Sequence, residues 1–538
     1  MLDFRVRSTP KRPTDDFSAR RKFLVVFMMV CMLVLTGRAI DLQVLSKQFL
    51  KHEGDMRQVD DVSVSAYRGM IKDRNGDPLA ISSPVDSHRQ FVYIARRVNP
   101  QLGNQVKELK LEGVYFEREF KRFYPTGGVS AHIVGFTNVD DIGQEGMESG
   151  YENLLKGISG SKRVIRDGQR RIIEDIENIK EPVSGKNLEL SIDQRIQYLA
   201  YKELQLAVSA NKAKSGALVV LDAKNGEILA AVNQPSFNPN TRSSLKESLY
   251  RNRALTDVFE PGSTVKPFVV AAALEGGYVS PNATFATHGT YQIGRNTVKD
   301  VHNYGTLDLT HVIKKSSNVG VSMMALKMPP KYFWGVYHRL GFGISAGSGF
   351  PGEASGTLMD YKRWHDFDRA ILSFGYGLSS SALQLARAYT ALADDGILHS
   401  VSLLKREEDD DAVRVFSAKT AKSVRKMMET VLMKDGTAYE ARVDGYTAAG
   451  KTGTVKKAAG SRGYTEKNYF AVFAGMAPAS DPRLIIVVMI DEPSAGQYYG
   501  GLVSAPVFSK VMAGALRILE VAPDQEETMP ILLTQKSQ

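Results

Sequence analysis

Cysteine is nearly absent: the 538-residue chain has one, Cys31. No intrachain disulfide can therefore form, and zinc sites built on several thiolates are excluded. Cys31 lies inside an apolar run, where it reads as lipid-facing rather than reactive. The 46 glycines and 21 prolines follow no G-X-Y period, which removes collagen-like and low-complexity arrays. No internal repeat is visible, so a solenoid is not expected. Apolar residues make up 43% and charged residues 24%, an ordinary globular composition that excludes a wholly disordered chain and a polytopic membrane protein. Domains run to about 100–200 residues, so two or more folded units are expected.

The net charge is +10. The leader Met1–Lys22 is locally basic, with Arg5, Arg7, Lys11, Arg12, Arg20, Arg21 and Lys22 against Asp3, Asp15 and Asp16. No basic stripe is interleaved with aromatics, so nucleic acid is not an expected partner. Mild attraction to an anionic envelope polymer is all the charge supports.

One segment, Phe23 to Leu35, is wholly apolar, flanked by Lys22 and Arg38. It is short against the ~20 residues of a spanning helix. A cleaved signal peptide would end in a small-residue site, but here Leu35-Thr36-Gly37-Arg38 follows. Lys22 and Arg38 can snorkel, and Ala39, Ile40, Leu42, Val44 and Leu45 extend the apolar stripe. The reading is an uncleaved signal anchor with a cytoplasmic basic leader.

Residues 60–190 hold short β-like runs and turns: Val62 to Tyr67, Phe91 to Ala95, and a hairpin-like stretch at 162–174 around Asp167-Gly168. Past residue 190 the texture changes. Ser191 to Ala210 has helical spacing, with Ser191 as its expected N-cap. Residues 216–232 read as two strands around Lys224-Asn225-Gly226. Further strands are expected at 469–475 and 483–493, and helices near 264–276, 307–327, 381–395 and 417–432. Strands at both ends with helices between describe one α/β domain closed by distant parts of the chain. The final stretch, 521–538, reads as a loose tail.

Phe259-Glu260-Pro261-Gly262-Ser263-Thr264-Val265-Lys266 is the decisive segment. Pro-Gly breaks the chain, and an apolar helical pattern follows. Ser263 therefore sits at a helix start, where backbone N–H groups are free, and Lys266 lies one turn on. A serine hydroxyl needs an adjacent base, and lysine is one only when burial or nearby positive charge favours its neutral form. Ser-x-x-Lys alone is weak, since the chain has it seven times. Only Ser263 follows Pro-Gly and opens an apolar helix. A second element, Lys315-Ser316-Ser317-Asn318, offers a hydroxyl relay at Ser316 and an amide at Asn318, although plain turn chemistry explains it equally well. A third, Lys451-Thr452-Gly453-Thr454, reads as a strand whose glycine permits close approach of an extended ligand and whose lysine and hydroxyls suit a carboxylate. The ordered triple is the signature of penicillin-recognising serine enzymes.

On these motifs the chain resembles the class B penicillin-binding proteins. Arg68 to Gly76, Arg122-Phe123-Tyr124-Pro125 and Gly143 to Glu148 resemble the non-catalytic pedestal motifs of that family. FEPGSTVKP, SSNVGVS, the run 374–393 and YYGGLVSAPVF resemble its division-specific type, the penicillin-binding protein 3 group of Gram-negative bacteria. The resemblance implies an α/β (α+β) transpeptidase fold: an antiparallel five-stranded sheet with helices on both faces and an all-helical subdomain, preceded by an elongated α+β pedestal and one transmembrane helix. The expected domains are a leader (1–22), an anchor (23–42), a pedestal of the dimerisation type (43–185), a transpeptidase domain (186–520) and a tail (521–538).

The implied reaction is D,D-transpeptidation of peptidoglycan stem peptides at the division septum. By resemblance, Ser263 is the nucleophile, Lys266 its base, and Ser316 a proton relay. Asn318 orients the substrate amide, and Lys451 both binds the terminal carboxylate and helps keep Lys266 neutral. Thr452, Gly453, Thr454 and Tyr376 bind substrate, and backbone N–H groups of Ser263 and Thr454 form the oxyanion hole. No metal or organic cofactor is implied. The implied partners are donor and acceptor stem peptides, β-lactams, a SEDS-family division glycosyltransferase, other septal proteins and the inner membrane. Tyr498 is a further cleft-wall candidate, and Lys456 to Lys467, with Arg462, reads as a mobile loop. His132, His288, His302 and His311 lack ligand spacing and read as structural. Two other readings use the same motifs: a serine β-lactamase or D,D-carboxypeptidase, and a non-catalytic β-lactam sensor or division scaffold. Length, anchor, pedestal and Ser317 (where class A β-lactamases usually have Asp) stand against a β-lactamase. The brief stretch ahead of the anchor stands against a sensor.

Overall fold

The computed structural model describes residues 18–89, 105, 108–109, 115–168, 172–241, 247–406, 411–458 and 463–525. The leader up to residue 17, the expected strand at Phe91–Ala95, Arg462 and the tail beyond 525 lie outside the described residues. The chain divides into two compact units, one of Met1–Ala66 with Ile158–Val183 and one of Tyr67–Gly157 with Ser184–Gln538.

In the first unit, α1 (Ser18–Ile40) has 23 residues and buries none of them. At about 1.5 Å per residue it is long enough for the ~30 Å hydrocarbon core of a bilayer. With the π-helical turn Asp41–Leu45 it forms a 28-residue span, the one candidate membrane crossing among the described residues. The apolar run thus gains its missing length from flanking residues on both sides. Cys31 is exposed on this helix. A three-stranded antiparallel sheet, Val59–Val64, Gly160–Arg166 and Ile172–Lys180, completes the unit. Its second and third strands are the expected hairpin.

The pedestal part of the second unit is built on a four-stranded sheet (Tyr115–Phe123, Pro78–Arg89, Ile71–Lys72, Leu188–Glu189). Its charged centre is buried. Glu148 receives Arg68 Nε at 2.7 Å on one oxygen and Arg122 Nε at 2.6 Å on the other. Arg68 also pairs with Glu152 at 2.7 Å.

The remainder is the sheet that carries the motifs. Helix α2 (Gln194–Ala210) buries Ile196, Gln197, Ala200 and Leu204, one stripe at helical spacing. Its N-cap is Asp193, which accepts from Arg195 N at 3.0 Å. Ser191, the expected cap, instead donates its hydroxyl to the Ile228 and Ser402 carbonyls. Strands β1 (Ser215–Asp222) and β2 (Ile228–Gln234) form the expected hairpin. Strands β3 (Ala449–Ala458), β4 (Tyr464–Ala477) and β5 (Leu484–Asp491) complete an antiparallel sheet of order β2-β1-β5-β4-β3. Ser215 pairs with Asp491, and Thr454 with Ala471. β1 and β5 are buried on both faces, and apart from Ser215, Asp222 and Asp491 at their ends they are accordingly free of polar side chains.

Between these strands the described residues form four two-stranded sheets and several helices, among them α3 (Lys266–Glu275), α4 (Asn318–Lys327) and α5 (Ala382–Ala393). The expected single helix at 307–327 is two, broken by Lys315-Ser316-Ser317, with Ser316 at φ 59°. Helix α6 (Ala505–Ile518) lies against α2, where an added Cβ on Gly514 would meet Leu199 Cδ2 at 2.4 Å. The described start of the tail is pinned rather than loose. Asp524 accepts Thr447 N at 2.6 Å and Ser480 Oγ at 2.5 Å, and Tyr446 donates its hydroxyl to the Val521 carbonyl at 2.7 Å.

Candidate active site

Ser263 is the second residue of a 3₁₀ turn, Gly262–Val265, that runs into α3. Its N–H belongs to the opening turn, where no intrahelical acceptor exists. The turn is forced by geometry at two points. Gly262 has φ 56°, and an added Cβ there would meet Val455 Cγ2 at 2.3 Å. A Cβ on Gly453 would meet Pro261 O and Thr264 Cγ2, each at 3.1 Å. The Lys-Thr-Gly strand therefore lies directly against the serine turn. On the other side Gly262 N donates to Gly375 O at 3.1 Å.

Lys266 is fully buried. Its Nζ donates to Ser316 O at 2.6 Å, Asn318 Oδ1 at 2.7 Å and Ser316 Oγ at 3.2 Å. The first and second motifs thus meet through the lysine. The Ser263 hydroxyl has no hydrogen bond among the described residues and is partly open to solvent. A catalytic bond that tightens only when substrate arrives is ordinary in an empty site.

Burial pushes the Lys266 amine well below the usual lysine range, the charge of Lys451 pushes it further, and Asp300 opposes both. Lys451 is also buried, and burial lowers it to about 7. Among the described residues it has no carboxylate partner; its Nζ reaches Thr452 Oγ1 at 3.2 Å and Thr452 O at 3.3 Å. Two desolvated amines with no carboxylate hydrogen-bonded to either among the described residues favour an incoming anion. Thr454 Oγ1 accepts from Gly500 N at 3.0 Å, and a Cβ on Gly500 would meet Gly453 O at 2.5 Å, so the strand is held from behind. β3 is the last strand of its sheet, the kind of edge position at which an extended peptide can add.

Tyr376 is half-buried, packs edge-on to Tyr464 at 5.3 Å and is bonded by the Lys456 backbone. Tyr498 stacks between Tyr469 at 4.4 Å and Tyr499 at 4.5 Å. Of the histidines, His132 is buried against the Leu249 carbonyl, and burial holds it down at about 4. His311 bonds Asp308 at its own helix start.

Motif spacing gives no sign of several residues that build this site. Asp300 receives Ser317 Oγ at 2.6 Å, Asn318 N at 2.5 Å and Val319 N at 3.0 Å. Glu260 accepts Gly377 N at 2.8 Å and Tyr464 O–H at 3.1 Å. Thr437 lies with its hydroxyl 3.1 Å from Thr452 Oγ1. The only sequence hint was the position of Glu260, directly before Pro-Gly-Ser.

Comparison with known proteins agrees with this geometry. The family model for the penicillin binding protein transpeptidase domain matches residues 216–513, and that for the penicillin-binding protein dimerisation domain matches residues 85–190. The peptidoglycan D,D-transpeptidase FtsI of Escherichia coli K12 is 42% identical over 560 residues, covering 96% of this chain and 95% of its own. The probable peptidoglycan D,D-transpeptidase PenA of Neisseria gonorrhoeae is 40% identical over 564 residues, 97% of each chain. Among solved structures, the apo transpeptidase domain of Burkholderia pseudomallei penicillin-binding protein 3 aligns with a TM-score of 0.58 at 44% identity, over 63% of this chain and 98% of that one. Penicillin-binding protein 3 of Mycobacterium tuberculosis, complexed with aztreonam, aligns with a TM-score of 0.73 at 30% identity, over 86% of this chain and 98% of that one.

Proposed function

The chain belongs to the class B penicillin-binding proteins, a dimerisation domain joined to a transpeptidase domain, and on that premise we propose that it cross-links peptidoglycan stem peptides as a D,D-transpeptidase acting through Ser263. The observation that carries this reading is the buried Lys266, held between Ser316 and Asn318 one turn from the serine.

With its amine neutral, Lys266 takes the Ser263 proton as Oγ attacks the carbonyl between two terminal D-alanines. The oxyanion is met by N–H groups of Ser263 and Thr454. The C–N bond then breaks, and the departing D-alanine amine receives the proton, relayed from Lys266 through Ser316. Asn318 aligns the donor amide. Lys451, Thr452 and Thr454 hold the terminal carboxylate, while Gly453 leaves room for the donor backbone and Tyr376 lines the wall. An amine of a second stem peptide attacks the acyl-enzyme, losing its proton to Lys266, which returns it to Ser263.

A β-lactam offers the same groups a strained amide and a carboxylate, and its amine stays tethered after ring opening. Among the described residues, no carboxylate hydrogen-bonds Ser263 or Lys266. The adduct therefore lacks an internal base for hydrolysis, which favours the transferase over the β-lactamase reading.

The apolar helix and the relatives fit a single-pass inner-membrane protein. We place the leader in the cytoplasm, the catalytic domain in the periplasm at the division septum, and a SEDS-family glycosyltransferase beside it.

The direct test is labelling with a fluorescent penicillin followed by mass analysis. Wild type gains one stoichiometric adduct on Ser263, and Ser263→Ala gains none. A labelled Ser263→Ala protein defeats the assignment.

A further inference from the structure

The second and third motifs are joined by a segment that belongs to neither. Lys314 and Lys315, directly before Ser316, both reach Asp435. Lys314 Nζ meets Oδ1 at 2.7 Å, and Lys315 Nζ meets the Asp435 carbonyl at 2.7 Å and Oδ2 at 3.5 Å. Two residues on, Thr437 Oγ1 lies 3.1 Å from Thr452 Oγ1, which is itself 3.2 Å from Lys451 Nζ. A continuous polar path therefore runs from the Ser316 turn through residues 435–437 to the carboxylate-binding strand. The segment has little slack. A Cβ on Gly436 would meet the Val431 carbonyl oxygen at 2.1 Å, and one on Gly501 would meet the Thr437 carbonyl oxygen at 2.1 Å.

We propose that Asp435 and Thr437 are positioning residues: residues 435–437 form a strut that fixes the gap between the Ser316 turn and β3 and aims the Thr452 hydroxyl at the substrate's terminal carboxylate. The inference rests on the transpeptidase reading above and adds to it the residues that set carboxylate recognition.

The hydrogen-bond count supports it. A charged Lys451 only donates, so it occupies a lone pair of Thr452 Oγ1 and leaves the Thr452 proton to be given away. In the empty site that proton has Thr437 to go to; in the complex it goes to the carboxylate, and the neighbouring Thr437 hydroxyl holds the rotor. Thr437 is exposed while Thr452 is buried, so Thr437 stands at the mouth of the anion pocket. An isolated exposed ion pair contributes little. Here one aspartate gathers two lysines and gives a main-chain acceptor as well, and the lysines sit on the turn that must not move. Small misplacements at a reacting centre cost large factors in rate.

The test uses the full chain in detergent and two acylating probes, benzylpenicillin and its methyl ester, which differ in the carboxylate charge. Thr437→Val slows acylation by benzylpenicillin about five- to tenfold and leaves the ester rate and the melting temperature in place; Asp435→Asn, which also loosens the Ser316 turn, slows both probes, benzylpenicillin more than the ester. Thr437→Ser restores the wild-type rate. With the uncharged ester, added salt slows the wild type towards Asp435→Asn and leaves that variant unmoved. Equal slowing with both probes, or no slowing with either, overturns the strut. A wild type that neither probe acylates at Ser263 overturns the transpeptidase reading itself, and the strut with it.

Discussion

The Asp300 carboxylate accepts the Asn318 backbone N–H at 2.5 Å, and so the residue that aims the Asn318 side chain at Lys266 comes from outside every motif. Asp300 also bonds Ser317 Oγ and Val319 N, which stabilises the start of α4 and the positive-φ geometry of Ser316.

Two effects of Asp300 separate by substitution. Asp300→Ala strands three donors and is expected to cost about 2 kcal/mol of stability with a large loss of acylation rate. Asp300→Asn keeps an acceptor but removes the charge that raises Lys266. The Lys266 amine then loses its proton at still lower pH, and the acid limb of the acylation profile moves down. A pH series of penicillin acylation rates checks the sign; an upward move contradicts it.

The buried amine of Lys451 is held at the expense of the fold. An unfolded lysine holds its proton up to about pH 10.4, whereas this one loses it near 7. Between those values the unfolded chain binds more protons, so stability rises with pH, and below 7 the full cost is present. Lys451→Met is expected to raise stability at pH 6 by several kcal/mol, because each tenfold loss of proton affinity on folding costs about 1.4 kcal/mol. The same variant is expected to lose acylation by carboxylate-bearing β-lactams. Denaturant unfolding at pH 6 and pH 9 measures the stability change: the gain shrinks at the higher pH.

Glu148 neutralises two buried guanidinium groups at once. Glu148→Ala leaves Arg122 without this carboxylate and Arg68 with Glu152 alone, and is expected to cost about 3–5 kcal/mol, seen as a fall in melting temperature. Replacing Arg68, Arg122 and Glu148 together by apolar residues of similar volume recovers much of the loss. If the single variant melts with the wild type, the cluster is not a unit.

Gly262→Ala places a Cβ 2.3 Å from Val455 Cγ2 at φ 56°. The serine turn must then move away from β3, and acylation is expected to fall at least about tenfold, with a smaller change in stability. Stopped-flow acylation and thermal melts on the same sample separate the two.

The five strands of the main sheet and helices such as α2, α3 and α5 were legible because their signals are local. The Lys224-Asn225-Gly226 hairpin and the apolar runs of β1 and β5 state their own structure. The three motifs were legible because each combines an unusual residue pair with a chain break or a strand. Ser191 misled because Asp193, two residues later, caps the helix instead. The tail misled because its anchor is Asp524, a polar pin rather than an apolar side chain. Asp300, Asp435 and Thr437 left no signal, and Glu260 only its place before Pro-Gly-Ser, since nothing in spacing alone says which distant turn an acidic or hydroxyl side chain will reach.

The middle of the five-stranded sheet is filled by β5, the last of its strands to leave the ribosome, and Ser215 and Asp491 are 276 positions apart. Closing so large a loop comes before any reward in contacts, which makes this a slow-folding topology. Until that keystone is seated, Ser263 and Lys451 share no common frame. A chain still awaiting β5 is thus expected to be chemically silent, so that acylation reports completed folding.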